Sequence, residues 1–382
     1  VSPTVAVAQR ATALKASGLR ILDFSVGEPD QPTPDSVTAA GVAALRAGRT
    51  RYAPASGLPE LREAICRRYA QDEGVTFDPS EVAVAVGGKQ ALYLACQALL
   101  GAGDEAVVPT PGWPTFAECA RLAGARPVFV RTREERAFKL TARGIARAVT
   151  PRTRVVVLNT PSNPTGAVID AGDLAEVARL ARRRGFTVLY DDTYARLSFD
   201  GGPSGLDVAR RVAPDHVVVV GTASKTYCMT GWRIGWVLGP RAVVDACAAI
   251  ASHSTQSPAT FAQVAAVEAL DGPQDAVRAL AAEYRRRRDF IHPKVAALPG
   301  VSCVCPEGGF YLFPRLEAHL SPAVSTTVEL ATRLLEDHGV ALVPGEGFGA
   351  PGFARLSFAR PMDELREGAA RLAAFFSGAE RK

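Results

Sequence analysis

The feature that most constrains this chain is an alternation through its middle, in which short, continuously apolar runs are each followed by a segment of helical periodicity. The runs are Val82–Val86, Ala106–Pro109, Val155–Leu158, Val188–Asp191, Val217–Val220 and Ile234–Leu238. A strand with one wet face alternates apolar and polar residues. A strand apolar on both faces is covered on both, as in a mainly parallel sheet sandwiched by helices. Helical patterns separate the runs, among them Gln90–Leu100 after a glycine pair and Ala171–Arg184 before Gly185. The spacing therefore predicts an α/β fold with crossover connections, whose ligands collect beyond the carboxyl ends of the strands.

After a long helical stretch at Pro273–Leu298 the character changes. Strand runs at Gly309–Phe313, Val340–Val343 and Ala354–Phe358 interleave with helices at Thr326–His338 and Asp363–Phe376. This predicts a second, smaller α+β domain, joined by the N-terminal segment that carries Gly27-Glu28-Pro29-Asp30. A length of 382 residues suits two domains. The expected division is 33–280 for the large domain, and 1–32 with 281–382 for the small one.

Charge excludes some functions. The net charge of +5 is mild and dispersed, and the one dense basic run, Arg285 to Arg288, lies in a helical pattern and reads as a solvated face. No aromatic-interleaved basic motif accompanies it, so nucleic-acid binding is not expected. The seven cysteines are odd in number and scattered; Cys303-x-Cys305 lacks a second pair at zinc-site spacing, which points to reduced thiols. The five histidines share no spacing, and no metal site is expected. No apolar run approaches the ~18–20 residues of a membrane span, and no secretory signal opens the chain. A cytoplasmic protein is expected, with an N-terminus trimmed ahead of Val1.

Polar residues gather where the strand runs end. Ser224-Lys225-Thr226 follows the run at Val217–Val220, and Arg233 comes eight positions after the lysine. Asn159-Thr160-Pro161-Ser162-Asn163-Pro164-Thr165-Gly166 ends one run, and Asp191-Asp192-Thr193-Tyr194 ends another. Val86-Gly87-Gly88-Lys89-Gln90 places a glycine pair between strand and helix, which offers backbone N–H groups to a phosphate. Neither Gly-x-x-x-x-Gly-Lys-[Ser/Thr] nor Gly-x-Gly-x-x-Gly occurs, so a nucleotide reading has no support.

In this order and spacing the motifs resemble the class I aminotransferases of the fold-type I pyridoxal-phosphate (PLP) enzymes, in particular their bacterial aspartate and prephenate branch. The likeness extends to Ser2-Pro3-Thr4-Val5, Gly27-Glu28-Pro29-Asp30, Arg51-Tyr52-Ala53-Pro54, Leu58-Pro59-Glu60-Leu61-Arg62, Ser254-Thr255-Gln256-Ser257-Pro258 and Ala354-Arg355-Leu356-Ser357. It implies a large domain built on a mainly parallel seven-stranded sheet, with PLP held by Lys225 as a Schiff base. It implies that Lys225, Asp191 and Tyr194 are catalytic. Lys225 would carry the proton between Cα and the cofactor, Asp191 would pair with the pyridinium nitrogen, and Tyr194 and Asn163 would hydrogen-bond the ring oxygen. Trp113 would stack on the ring. Arg233, Gly88, Lys89, Thr222 and Ser224 would cradle the phosphate, with Tyr52 reaching across from the neighbouring subunit of a homodimer. Arg355 would grip the substrate α-carboxylate beside Gly27, and Lys89 and Thr4 a distal carboxylate.

Some positions depart from the family pattern: Asp191-Asp192-Thr193-Tyr194 stands where Asp-Glu-[Ile/Val]-Tyr is usual, Gly308-Gly309-Phe310-Tyr311 where Ser-Gly-[Ala/Thr]-[Phe/Tyr] is common, and His253 precedes Ser254-Thr255. The resemblance therefore leaves two enzymatic readings. The favoured one is an aminotransferase moving the amino group between an aspartate- or glutamate-like amino acid and a 2-oxo acid. The other is a PLP-dependent lyase or cyclase of secondary metabolism on the same scaffold. The sensor half of a transcription regulator, a third and non-catalytic class, is disfavoured by the complete set of cofactor residues and the short stretch before Gly27.

Overall fold

The computed structural model describes residues 10–14, 16–199 and 204–378. A short strand β1 (Leu22–Asp23) precedes the central sheet. That sheet is built from β2 (Val82–Val86), β3 (Glu105–Thr110), β4 (Arg126–Arg131), β5 (Thr153–Asn159), β6 (Thr187–Asp191), β7 (Val217–Thr222) and β8 (Ile234–Leu238). Its order is β2-β8-β7-β6-β5-β3-β4. Strand β8 runs antiparallel to both of its neighbours, and every other pairing is parallel. The alternation along the sequence thus forms the sheet it predicts.

Each central strand is buried on both faces by different partners. In β7, Val217 and Val219 join one apolar cluster while Val218 and Val220 join another. Strand β5 divides likewise, with Val156 and Leu158 against Val155 and Val157. The helices Pro59–Glu73, Ala171–Arg184 and Thr260–Asp271 cover the first face, and Gly88–Leu99, Thr115–Leu122 and Arg241–Ser252 the second. The apolar-run reading does not include β4. It is an edge strand with arginine at both ends and Phe129 half exposed, so it carries no continuous apolar signal.

Beyond the helix Asp275–Ala296 come the last four strands, β9 (Tyr311–Leu312), β10 (Val340–Ala341), β11 (Val343–Pro344) and β12 (Ala354–Ser357). The N-terminal β1 pairs in parallel with β10, which joins the two chain ends as expected. The expected strand Val340–Val343 is corrected to two strands in two sheets, interrupted at Leu342. Pro344 has no N–H to extend a ladder, so the second piece is short. Strand β12 pairs antiparallel with β11 and β9, setting Ser357 opposite Tyr311. The cluster beneath these strands includes Phe24, Tyr284, Phe310 and Leu356, and also takes in Tyr194 and Leu197 from the loop after β6. Packing of that loop brings the two regions together at the strand ends.

The basic run is not a solvated face. Arg285 and Arg286 are exposed, but Arg287 and Arg288 are 3% and 8% exposed. Arg287 donates to Asp30 at 2.8 Å and Glu283 at 2.7 Å, and Arg288 donates to the Pro306 carbonyl at 3.0 Å. The Gly27–Asp30 loop docks on this helix and covers what would otherwise be its wet side. Among the described residues no helix is long and apolar enough to cross a membrane.

Candidate active site

The parallel strands deliver their polar terminal residues to one edge. Asn159 of β5 stands in register with Asp191 of β6, and Thr222 closes β7. Above them lies a cavity of about 380 Å³. It brings together Gly27, Gly88, Lys89, Trp113, Asn163, Asp191, Tyr194, Thr222, Ser224, Lys225, Arg233 and Arg355, all expected from the sequence. Tyr52 is not among them; its ring is 92% exposed, away from the cavity of its own chain. Thr4 lies outside the described residues. Three lining residues were not foreseen: Asn159, Thr193 and Tyr311. The first two sit in motifs that were recognised; Tyr311 had only the signal of its neighbouring glycine pair.

One end of the cavity is shaped for an anion. The helix Gly88–Leu99 opens there, and its first N–H groups have no partner within the helix. Gly87 precedes it with φ +81°, and a Cβ at that position would lie 2.3 Å from the Arg233 guanidinium. Glycine is thus required both for the turn and for the approach of the arginine. Arg233 itself adopts φ +58°, unusual for a side-chain-bearing residue. It is anchored by donation to the Thr230 carbonyl at 2.7 Å. The Thr222 and Ser224 hydroxyls, 2.8 Å apart, border the same end.

Two groups in the middle are held away from their ordinary ionisation. Lys225 donates from Nζ to the Gly27 carbonyl at 2.6 Å. Burial lowers its amine to about 8; Glu28 opposes this, and the positive charges of Arg355, Arg233 and Lys89 reinforce it. Asp191 is raised to about 6 by burial, against a hydrogen bond from the Thr193 backbone N–H at 3.0 Å. Next to it, Asp192 turns away from the cavity. Its carboxylate accepts from Tyr69, whose oxygen also accepts from the Trp236 indole at 3.1 Å. The departure at 192 therefore belongs to the framework behind the site.

The opposite end holds Arg355. It donates to Asn163 Oδ1 at 3.0 Å and the Ser25 carbonyl at 2.9 Å, and its buried Nε has no partner among the described residues. Its guanidinium stacks 4.4 Å from the Tyr311 ring centre, and the Tyr311 hydroxyl lies 3.0 Å from that of Tyr194. Trp113 stands at the cavity wall with Lys89 Nζ 5.3 Å from its ring.

This donor set fits a planar, phosphorylated aldehyde cofactor. An amine with depressed basicity can condense with the aldehyde. A buried carboxylate can hold a ring nitrogen protonated, and the glycine turn with Arg233 matches the phosphate. These are the requirements of a PLP enzyme. The sequence profile of the family described as Aminotransferase class I and II matches residues 20–372, and the chain belongs to that family. It is 40% identical over 378 residues to an aspartate aminotransferase of Geobacillus stearothermophilus, covering 98% of this chain and 96% of the relative. It is 43% identical to an aspartate/prephenate aminotransferase of Thermus thermophilus, covering 97% and 95%. Among solved structures, a Thermus thermophilus aspartate aminotransferase with maleate matches with a TM-score of 0.91 and 42% identity, covering 98% of this chain and 96% of that one. The protein is thus a PLP-dependent aminotransferase acting between an amino acid and a 2-oxo acid. The lyase or cyclase alternative finds no support in these relatives.

Proposed function

We propose that the amino acid is acidic, aspartate or glutamate, and that the enzyme works as a homodimer in the cytoplasm. The observation that carries the substrate reading is charge: four cations, Lys89, Lys225, Arg233 and Arg355, line the cavity against one carboxylate, Asp191. One phosphate and one α-carboxylate engage Arg233 and Arg355, which leaves Lys89 at the rim for a second carboxylate. The relatives named as aspartate aminotransferases support the same choice. None of the seven cysteines is joined in a disulfide, which suits a reducing compartment. The exposed Tyr52 ring supports a dimer in which it meets the partner's phosphate site. We divide the chain at 33–280 for the cofactor domain, and 1–32 with 281–382 for the smaller one.

When bound, PLP supplies an electron-accepting ring that stabilises a carbanion at the substrate Cα. The chain supplies the rest. Arg355 would clamp the α-carboxylate through a planar fork and so would orient the bonds at the substrate Cα. Asp191 holds a proton on the ring nitrogen. Tyr194 and Asn163 would meet the ring oxygen, Trp113 would cover one ring face, and the backbone at Gly88 and Lys89, with Thr222, Ser224 and Arg233, would receive the phosphate, leaving the Lys89 ammonium for the distal carboxylate. Lys225 would hold the cofactor and would move the proton at the substrate Cα; an amine near neutral basicity is suited to both taking and returning it. Gly27 admits the substrate close to the backbone.

The test is an absorbance titration of the holoprotein. L-Aspartate is expected to bleach the visible band of the Lys225-linked cofactor, and 2-oxoglutarate to restore it. A band that ignores aspartate and glutamate but bleaches with a neutral amino acid would overturn the acidic reading. The Lys225→Ala variant is expected to hold no borohydride-reducible cofactor.

A further inference from the structure

We infer that Tyr311 is a positioning residue: it donates its only proton to the Tyr194 oxygen, so that Tyr194's own proton is aimed at the cofactor ring oxygen, and it thereby transmits carboxylate binding at Arg355 to the Lys225–cofactor linkage. The inference rests on the proposed contact between Tyr194 and the ring oxygen. Tyr311 comes from β9 and Tyr194 from the loop after β6, and both are buried, at 1% and 4% exposure. Their hydroxyls are 3.0 Å apart. A phenol has one proton, so a single hydrogen bond joins them, and the choice of donor decides where the second proton points.

Arg355 decides it. Its guanidinium lies 4.4 Å from the Tyr311 ring centre, and a cation there makes the phenol a stronger donor. The same arginine eases the Tyr311 ionisation that burial otherwise opposes. Tyr194 faces Tyr311, Arg355 and Asp191; Lys225 faces Glu28, Arg355, Arg233 and Lys89. Of these, Arg355 alone borders Tyr194, Tyr311 and Lys225, and it is the group a substrate carboxylate neutralises. The space is also reserved. A Cβ at Gly27 would sit 2.8 Å from the Tyr311 hydroxyl, so only glycine leaves that oxygen where it is.

Donation by Tyr194 to the ring oxygen favours the deprotonated linkage. Strengthened by Tyr311, it lowers the linkage pKa; when a carboxylate neutralises Arg355, Tyr311 donates less and the pKa rises. The test is a pH titration of the visible band of holoprotein, with and without saturating succinate, an unreactive dicarboxylate. Tyr311→Phe keeps the ring and is expected to raise the pKa by about half a pH unit and to shrink the further rise caused by succinate. Gly27→Ala, which displaces the hydroxyl, is expected to shift the pKa in the same direction. Tyr311→Phe is expected to add nothing in a Tyr194→Phe background. An unchanged pKa and succinate response in Tyr311→Phe would overturn the inference, as would an equal shift in both backgrounds. If Tyr194→Phe itself leaves the pKa unmoved, the proposed contact with the ring oxygen fails, and the inference with it; if Tyr194→Phe shifts it and Tyr311→Phe does not, the inference alone fails.

Discussion

At the scale of single residues, the cavity holds a buried carboxyl group whose ionisation costs stability. Asp191 is 4% exposed with its pKa raised from 3.8 to about 6, so between these values the folded chain binds more protons than the unfolded one. Stability of the apoprotein therefore falls as pH rises through that window, and the full cost is present above about pH 6. Asp191→Asn removes the cost. The variant apoprotein is expected to be more stable than wild type by about 3 kcal/mol at pH 8, with little difference near pH 3.5. Denaturant unfolding at the two pH values checks this. The same substitution is expected to lower turnover by about 100-fold or more, because a neutral amide no longer holds the ring nitrogen protonated.

At the scale of elements, one buried ion pair ties the N-terminal loop to the longest helix. Arg287 bonds to Asp30 and Glu283, and Asp30 lies three residues from the Gly27 carbonyl that receives Lys225. Breaking a buried pair leaves an uncompensated charge, so Arg287→Met is expected to destabilise the protein by about 3 kcal/mol. Adding Asp30→Asn should recover part of that loss, which a double-mutant cycle in urea measures. The sequence did not reveal this pair. An arginine run in a helical pattern looks wet until partners from elsewhere, Asp30 for Arg287 and the Pro306 carbonyl for Arg288, meet two of its members. Strand β4 was missed for the complementary reason, since its edge position lets arginines and a half-exposed Phe129 stand in a true strand.

At the scale of the whole molecule, the proposed homodimer turns on Tyr52, which is 92% exposed and does not line the cavity of its own chain. Tyr52→Ala is expected to weaken PLP affinity about tenfold, the loss of one hydrogen bond to a charged group. Hybrid dimers give a sharper check. Pairing a Tyr52→Ala chain with a Lys225→Ala chain creates one site with an intact lysine and a tyrosine from the other subunit. That site is expected to bind PLP as wild type does. Weak binding by the hybrid, measured by fluorescence titration, would show that Tyr52 acts within its own chain.

The sequence by itself determined the layered sheet and the cofactor half of the site. Apolar runs buried on both faces are legible because a strand's environment is written in consecutive residues. Lys225, Asp191, Asn163 and Gly88 are legible as cavity residues because their motifs, in order and spacing, resemble those of a known family. Tertiary structure alone decided the groups whose meaning depends on distant partners. Tyr311 acquires its role from a tyrosine 117 positions away, and Arg287 its burial from an aspartate 257 positions away. The splitting of Val340–Val343 between two sheets also depends on partners, since β10 and β11 pair with opposite ends of the chain. Local sequence sets what a residue can donate or bury. Only the folded chain sets what lies within 3 Å to receive it, and hydrogen bonds and ion pairs act over that distance.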